Sequence, residues 1–355
     1  MREIAVSGVR PTGKQHLGNY LGAVVNFVRM QEEYNGYFFI ADLHSLTTHP
    51  RAADLQANVR QTLIEYLACG LDPDKCTLFV QSHLPQISEL YLVFNMLAYL
   101  GELEKVPTFK DKVRSQPENV NAGLLTYPVL MAVDILMHHA MKVPVGKDQM
   151  QHIEMTRNFG NRFNHVYGVE YFKEPVGFTY GDKPLSVPSL DGEGKMSKSK
   201  GENTVIYLAD EPEVIRKKIM RAKTDSGPQS IFPPTDVRYF MTKAMEETGA
   251  IKRNENAKSE SVQNLFDLMG LVSKPEKIGF FNEQYDRHAI RYGEMKKELA
   301  EDMVNYLTPI RERIKEISAD QAYLARVMNE GGEKARTSAG KTMSEVREII
   351  GLKSS

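Results

Sequence analysis

The chain has 355 residues, 41% of them hydrophobic and 26% charged, enough for a sizeable core divided between two domains. A formal net charge of −1 excludes a global polybasic surface, so a nucleic-acid partner has to be held by local patches. No apolar run reaches membrane-spanning length, MREIAVSGVR has no signal-peptide core, and Cys69 and Cys76 form neither a disulfide framework nor a C-x-x-C pair. A reduced, cytoplasmic, membrane-free setting is expected.

The first third alternates β-rich runs with helix-length amphipathic segments. IAVSGV (4–9) leads into NYLGAVVNFVRMQEEY (19–34), YFFIAD (37–42) into ADLQANVRQTLIEYLACG (53–70), and CTLFVQS (76–82) into SELYLVFNMLAYLG (88–101). Strands apolar on both faces between helices predict a parallel sheet covered on both sides, with ligands beyond its carboxyl ends. KVPTFKDKVRSQPENVNAG (105–123) breaks the alternation and reads as the start of an insertion over about 105–140. Helix LLTYPVLMAVDILMHH (124–139), strand KVPVG (142–146) and helix DQMQHIEMTRNFGNRFNHVYG (148–168) resume the pattern. After residue 206 the strand signal fades into long charged helices, with no internal repeat. The expectation is a Rossmann-like α/β domain over 1–206 and a helical domain over 207–355, whose last helix (333–352) returns to the first domain.

Two stretches carry chemistry. RPTGKQHLGN (10–19) follows the first strand and opens a helix, and a helix N-terminus after a glycine turn offers N–H groups to an anion. It is neither a P-loop nor G-x-G-x-x-G. His16 can donate to a phosphate oxygen and Gly18 allows close backbone approach, while Asn19 doubles as an N-cap; a satisfied loop histidine explains the turn equally well. GEGKMSKSKGE (192–202) gathers Lys195, Lys198 and Lys200 on a glycine-flanked loop, which alone is either a solvated surface loop or a grip for an anion.

HLGN with KMSKS about 180 residues later resembles the paired signatures of class I aminoacyl-tRNA synthetases. The resemblance gives the lysines a ligand, the triphosphate of ATP, and makes Lys195–Ser199 a mobile loop. It also explains why no general base stands out: a substrate carboxylate is already ionised, so attack on the α-phosphorus needs alignment and charge stabilisation.

Asp134 lies inside a strongly apolar helix, where a carboxylate is costly unless paired. Either it bridges to a buried residue or is partly exposed, or it is an acceptor for a ligand that only donates, such as an indole N–H. Tyr127, Met131 and Asp134 share a helical face, although a methionine stripe is also ordinary core. TYPVLMAVDIL with VPVGKDQMQHIEMTR, SGVRPTGKQHLGNYLGA, FFIADLHSLT, GELEKVPTFKDK and GKMSKS is similar to the bacterial-type tryptophanyl-tRNA synthetase family over essentially the whole chain.

That resemblance implies activation of L-tryptophan by ATP and transfer to the 3′-terminal ribose of tRNA(Trp), by a homodimer. His16, Lys195, Lys198 and Ser199 would be catalytic. Arg10, Pro11, Thr12, Gly18, Asn19, Gly146, Lys147, Asp148, Gln149, Val187, Met196 and Ser197 would complete the ATP site. Val6, His44, Tyr127, Met131, Asp134, Val143 and Val145 would surround tryptophan. ATP arrives with Mg²⁺ as a substrate complex, and no protein-held metal, prosthetic group or iron–sulfur cluster is expected. Three positions depart from the family pattern: Asn19 ends HLGN where a histidine is usual, Val6 replaces an aromatic, and Arg10 replaces a glutamine, which predicts altered affinities rather than another reaction.

The helical portion would receive the anticodon and the insertion would guide the acceptor end and form the dimer. Lys105, Lys110, Lys112 and Arg114, with Arg216, Lys217, Lys218, Arg221 and Lys223 of IRKKIMRAK, are candidate phosphate contacts or plain solvated faces. Three rivals remain: a tyrosyl enzyme, which would need a donor beside the carboxylate for a phenol; a small-molecule adenylyltransferase, which lacks the large helical portion; and a non-catalytic tRNA-binding paralogue, which would have lost His16 or the lysine loop.

Overall fold

A computed structural model describes residues 2–115, 117–146, 149–179, 186–225, 258–287 and 289–352. It contains a five-stranded parallel sheet, β1 (Ile4–Val9), β2 (Asn35–Ile40), β3 (Thr77–Val80), β4 (Lys142–Pro144) and β5 (Val176–Phe178), in the order β3-β2-β1-β4-β5. Val6 pairs with Tyr37 and Phe39 with Phe79, and all four residues of β3 are buried. Burial on both faces is why β3 and the second half of β2 read as unbroken apolar runs. The order reverses between β1 and β4, the switch point at which open α/β sheets leave a crevice beyond their carboxyl ends.

The helices are α1 (Leu17–Asn19), α2 (Val25–Glu33), α3 (Asp42–Ser45), α4 (Ala52–Ala68), α5 (Pro85–Leu97), α6 (Leu100–Leu103), α7 (Pro107–Ser115), α8 (Ala122–Leu136), α9 (Met150–Tyr167), α10 (Pro212–Met220), α11 (Glu260–Val272), α12 (Pro275–Asp286), α13 (Tyr292–Ala319) and α14 (Gln321–Ile349). Two features differ from the sequence expectation. The segment 19–34 is broken, a single turn of helix passing through a π-helical stretch (Tyr20–Val24) before α2. The strand β5 was not anticipated: three residues with glycine at the centre carry too little pattern to register.

The chain forms two compact units. One comprises Met1–Gln15, Gly22–Leu185 and Arg313–Ser355; the other comprises His16–Leu21 and Ser186–Glu312. In the first unit α14 packs on the sheet and on α5. Gly331 passes so close that an added Cβ would stand 1.7 Å from the Leu78 carbonyl oxygen. Thr342 Oγ1 donates to the Met137 carbonyl (2.8 Å), and Arg347 grips Glu89 through two bonds of 2.6 Å. The second unit buries Leu265, Met269, Phe281, Tyr285, Met295, Leu299, Met303 and Leu307 along α11, α12 and α13, with Lys277 pairing with Asp302 (2.8 Å) and Arg216 with Glu301 (2.6 Å).

Cys69 and Cys76 are free thiols, and burial pushes Cys76 up to about 12. No helix among the described residues is long and apolar enough to cross a membrane.

Candidate active site

The second unit brings the histidine turn and the lysine loop together. His16 is the N-cap of α1: its Nδ1 accepts from the Asn19 N–H (3.3 Å), and its own N–H donates to Asn19 Oδ1 (3.1 Å). This is a capping box with histidine in the place of serine and asparagine in the place of glutamate. Asn19 therefore sits at the third helical position, not at the cap itself. Gly18 leaves the His16 ring its place, because a Cβ there would press to 3.0 Å on the ring and make it shift. An antiparallel bridge joins His16 to Tyr207, and the Leu17 N–H donates to the Ile206 carbonyl (2.9 Å).

The segment ending at Tyr207 follows directly from the lysine loop. That loop is the return arm of a tight hairpin: Pro188 bridges Lys195, and the Met196 N–H donates to the Val187 carbonyl (2.8 Å). Gly192 (φ +84°) and Gly194 (φ +57°) make its turn in the left-handed region. Val187 and Met196 are buried, so they anchor the hairpin; Lys195 is exposed, and Ser197 and Ser199 share a hydroxyl contact (3.0 Å).

Lys200 has a different task. It pairs with Asp191 (3.2 Å) and donates to the Glu193 carbonyl, closing the base of the loop. Burial, reinforced by the charge of Lys198, holds His16 down at about 4. The imidazole is thus neutral at pH 7, and since Nδ1 accepts, its proton resides on Nε2, which is a donor.

The remaining candidates lie in the first unit. Arg10 and Pro11 follow β1, with a turn closed by the Thr12 N–H and the Arg10 carbonyl (2.9 Å). The half-buried Arg10 guanidinium donates to Thr48 Oγ1 (3.3 Å), while its Nε is buried without a hydrogen-bond partner and burial lowers its pKa. Gly146 and Gln149 follow β4, the Gln149 N–H closing onto the Gly146 carbonyl (3.0 Å); Lys147 and Asp148 lie outside the described residues. Both turns stand at the carboxyl ends of the two strands that flank the switch point.

Asp134 is 4% exposed on α8 and bridges to two buried or nearly buried side chains. Its Oδ2 bonds His44 Nε2 (2.9 Å), and Gln81 Nε2 donates to Oδ1 (2.7 Å) and Oδ2 (3.0 Å). Burial holds the carboxyl above its ordinary range; His44 and Gln81 pull it down, and Asp42 adds a smaller upward push. Asp134 thus has the buried protein partners that a carboxylate inside an apolar helix requires. Gln81 was missed: it ends β3 as one amide in CTLFVQS, and only the general rule about strand carboxyl ends pointed to it.

Tyr127 shares its hydroxyl with Thr108 and with His152 Nε2 (2.6 Å), and Met131 packs against the core. Val6 (1% exposed) and Val143 (3%) lie in the same core cluster, with Val145 at its edge.

Among the nine basic residues singled out, several are engaged within the protein. Lys218 is 7% exposed against Asp210 (2.6 Å) and stands over the Tyr207 ring, Arg216 binds Glu213 and Glu301, and Lys223 faces Glu193 at 3.6 Å. Lys105, Lys110, Arg114, Lys217 and Arg221 are exposed; the Lys112 side chain is outside the described set. No group of three His, Cys, Asp or Glu side chains suited to a metal occurs among the described residues.

A parallel Rossmann-type sheet, a glycine-backed histidine at a helix start and a lysine–serine hairpin joined to it define the class I tRNA synthetases. The family model described as tRNA synthetases class I (W and Y) matches residues 2–308, and the chain belongs to that family. It is 53% identical over 351 residues to the tryptophan–tRNA ligase of Porphyromonas gingivalis, covering 99% of this chain and 100% of that one. It is 37% identical to the tryptophan–tRNA ligase of Clostridium perfringens, covering 99% and 98%. Among solved structures it is similar to the tryptophanyl-tRNA synthetase of Campylobacter jejuni in complex with ADP and tryptophan, with a TM-score of 0.82, 30% identity, and coverage of 98% and 100%.

Proposed function

We propose that this chain activates L-tryptophan with ATP, forming tryptophanyl-adenylate and pyrophosphate, and then transfers the tryptophanyl group to the 3′-terminal ribose of tRNA(Trp). The observation that carries the reading is the nearness of the His16 turn to the lysine loop: a Cβ on Gly18 would stand 3.7 Å from Met196 Cβ, the charge of Lys198 acts on His16, and the His16–Tyr207 bridge ties the turn to the segment that follows the loop. The tryptophan carboxylate attacks the α-phosphorus, and the bond to the β,γ-phosphates breaks with pyrophosphate leaving. No proton has to be removed in this step. Charge grows on the leaving phosphates, and in this reading Lys195, Lys198 and the His16 Nε2–H offset it, with Ser199 adding a hydroxyl.

In this reading Arg10, Pro11, Thr12, Gly18, Asn19, Gly146, Lys147, Asp148 and Gln149 hold adenosine and phosphates, with Val187, Met196 and Ser197 shaping the loop. Mg²⁺ enters bound to the triphosphate as part of the substrate. Asp134 receives the indole N–H, His44 supports it, and Val6, Tyr127, Met131, Val143 and Val145 form the apolar surround. The domain assignment follows the family: catalysis within 1–206 and anticodon contact within 207–355, in the cytoplasm. The insertion, about 105–140, is proposed as the dimer and acceptor-stem region, and the exposed side chains Leu92 and Met96 of α5, Tyr99 of the link and Leu100 of α6, just before it, are proposed to extend the homodimer face.

The test is tryptophan-dependent exchange of labelled pyrophosphate into ATP, followed by charging of tRNA(Trp). Exchange with tyrosine but not tryptophan overturns the specificity, and no exchange with any amino acid favours a tRNA-binding protein without catalysis.

A further inference from the structure

Gln81 is fully buried at the carboxyl end of β3, and its amide is used on both sides. The carbonyl oxygen accepts from the Leu43 N–H (3.1 Å), which fixes which way the amide points. The NH₂ group is thereby turned onto Asp134, donating to Oδ1 (2.7 Å) and Oδ2 (3.0 Å). His44 adds a bond to Oδ2 alone (2.9 Å). A carboxylate oxygen offers two lone pairs. Oδ2 therefore has both in use, and Oδ1 retains one.

We propose that Gln81 is a positioning residue that determines amino-acid specificity, by locking the Asp134 carboxylate so that Oδ1 alone presents an acceptor to the substrate. A ligand whose side chain only donates one N–H completes that oxygen. A phenol, which also needs its own lone pairs met, finds no donor from Asp134, because Gln81 and His44 direct their hydrogens at the carboxylate. The inference rests on the tryptophan reading above, and the wild-type arm of the experiment tests that reading separately.

The experiment exploits the absence of tryptophan from the chain. With excitation at the indole edge, fluorescence anisotropy of L-tryptophan reports binding to the full-length protein without protein indole background. The wild type binds L-tryptophan; if it does not, the functional reading fails whatever the variants do. Gln81→Met keeps the approximate shape and removes the donor. It is expected to weaken tryptophan binding about tenfold or more, as loss of a buried partner does, with the KM for ATP unchanged in pyrophosphate exchange.

Gln81→Glu gives a readout that mere packing would not move. Two carboxyls then face each other, with His44 and Asp42 of α3 as the neighbouring titratable groups, and one shared proton restores the bond. Tryptophan affinity of this variant, taken as a ratio to the wild type at the same pH, should rise as pH falls from 8 to 6. Wild-type affinity in Gln81→Met, or a Gln81→Glu whose affinity relative to the wild type does not change with pH, overturns the proposal. So does a parallel loss of ATP and tryptophan affinity in both variants, which would mark Gln81 as general scaffolding.

Discussion

At the scale of single residues, the proposed mechanism sets a neutral His16 beside charged lysines. His16 has its folded pKa depressed to about 4 against an unfolded value near 6.5. A group that is neutral in the fold favours the fold wherever the unfolded chain is also neutral. Its contribution is therefore complete above pH 6.5 and is lost progressively as pH falls towards 4. Imidazole resonances followed by NMR should show His16 titrating near 4, with the proton on Nε2 at pH 7. A midpoint near 6.5 would mean that the turn does not shield the ring.

In the proposed mechanism Lys195 acts only where charge develops. Lys195→Ala should slow pyrophosphate exchange about 100-fold, the scale of one lost transition-state donor, while tryptophan binding stays close to wild type. Equal rates for the two proteins would remove Lys195 from the mechanism. Asp134→Ala should lose about 1–3 kcal/mol of tryptophan binding, roughly ten- to a hundredfold in affinity, and leave the KM for ATP unchanged. A rise in both constants together would assign Asp134 to folding instead.

At the scale of elements, two glycines of α14 make opposite demands. Gly331 meets the Leu78 carbonyl of β3, a backbone atom that cannot swing aside, so Gly331→Ala should destabilise by about 3 kcal/mol. Gly340 has open space where a Cβ would be, and Gly340→Ala should stabilise by up to about 1 kcal/mol through helix propensity alone. Thermal melts of the two variants should move in opposite directions; a common direction would mean that α14 does not lie on β3 as described.

The same elements show what was legible in the sequence. Strands β2 and β3 announced themselves because residues such as Phe38, Phe39, Leu78 and Phe79 are buried on both faces of the sheet. The histidine turn and the lysine loop were visible because their residue types are unusual at that spacing. Three things were hidden. The strand β5 is too short to show a period. The tie between the His16 turn and the segment after the lysine loop is made by the His16–Tyr207 bridge and the Leu17 N–H bond to the Ile206 carbonyl, which leave no pattern in either segment. Gln81 is a lone amide after an apolar run, and only the approach of Asp134, 53 positions away, gives it meaning.

At the scale of the whole molecule, a net charge of −1 leaves RNA binding to local cations. Several of the candidate cations are already neutralised by acidic neighbours, which narrows the contact to exposed ones such as Lys105, Lys110, Arg114, Lys217 and Arg221. Each phosphate contact releases a counterion, so the KM for tRNA should climb steeply with salt while pyrophosphate exchange changes little. A flat salt response of charging would rule out these residues as phosphate contacts.

The apolar face of α5 and α6 makes a second demand at this scale. Met96 is 76% exposed, Tyr99 63%, Leu100 59% and Leu92 57%, on neighbouring turns. A stable interface removes about 800 Å² per partner from water, and a contiguous apolar face of this kind is the natural centre of one. In a two-fold dimer Met96 and its symmetry mate would be covered together, so Met96→Glu would bury two like charges without partners. Sedimentation equilibrium should therefore find the wild type as a dimer and Met96→Glu as a folded monomer with the same helical circular dichroism. If Met96→Glu sediments like the wild type, the dimer is built on another surface; if the wild type itself sediments as a monomer, this face has another partner.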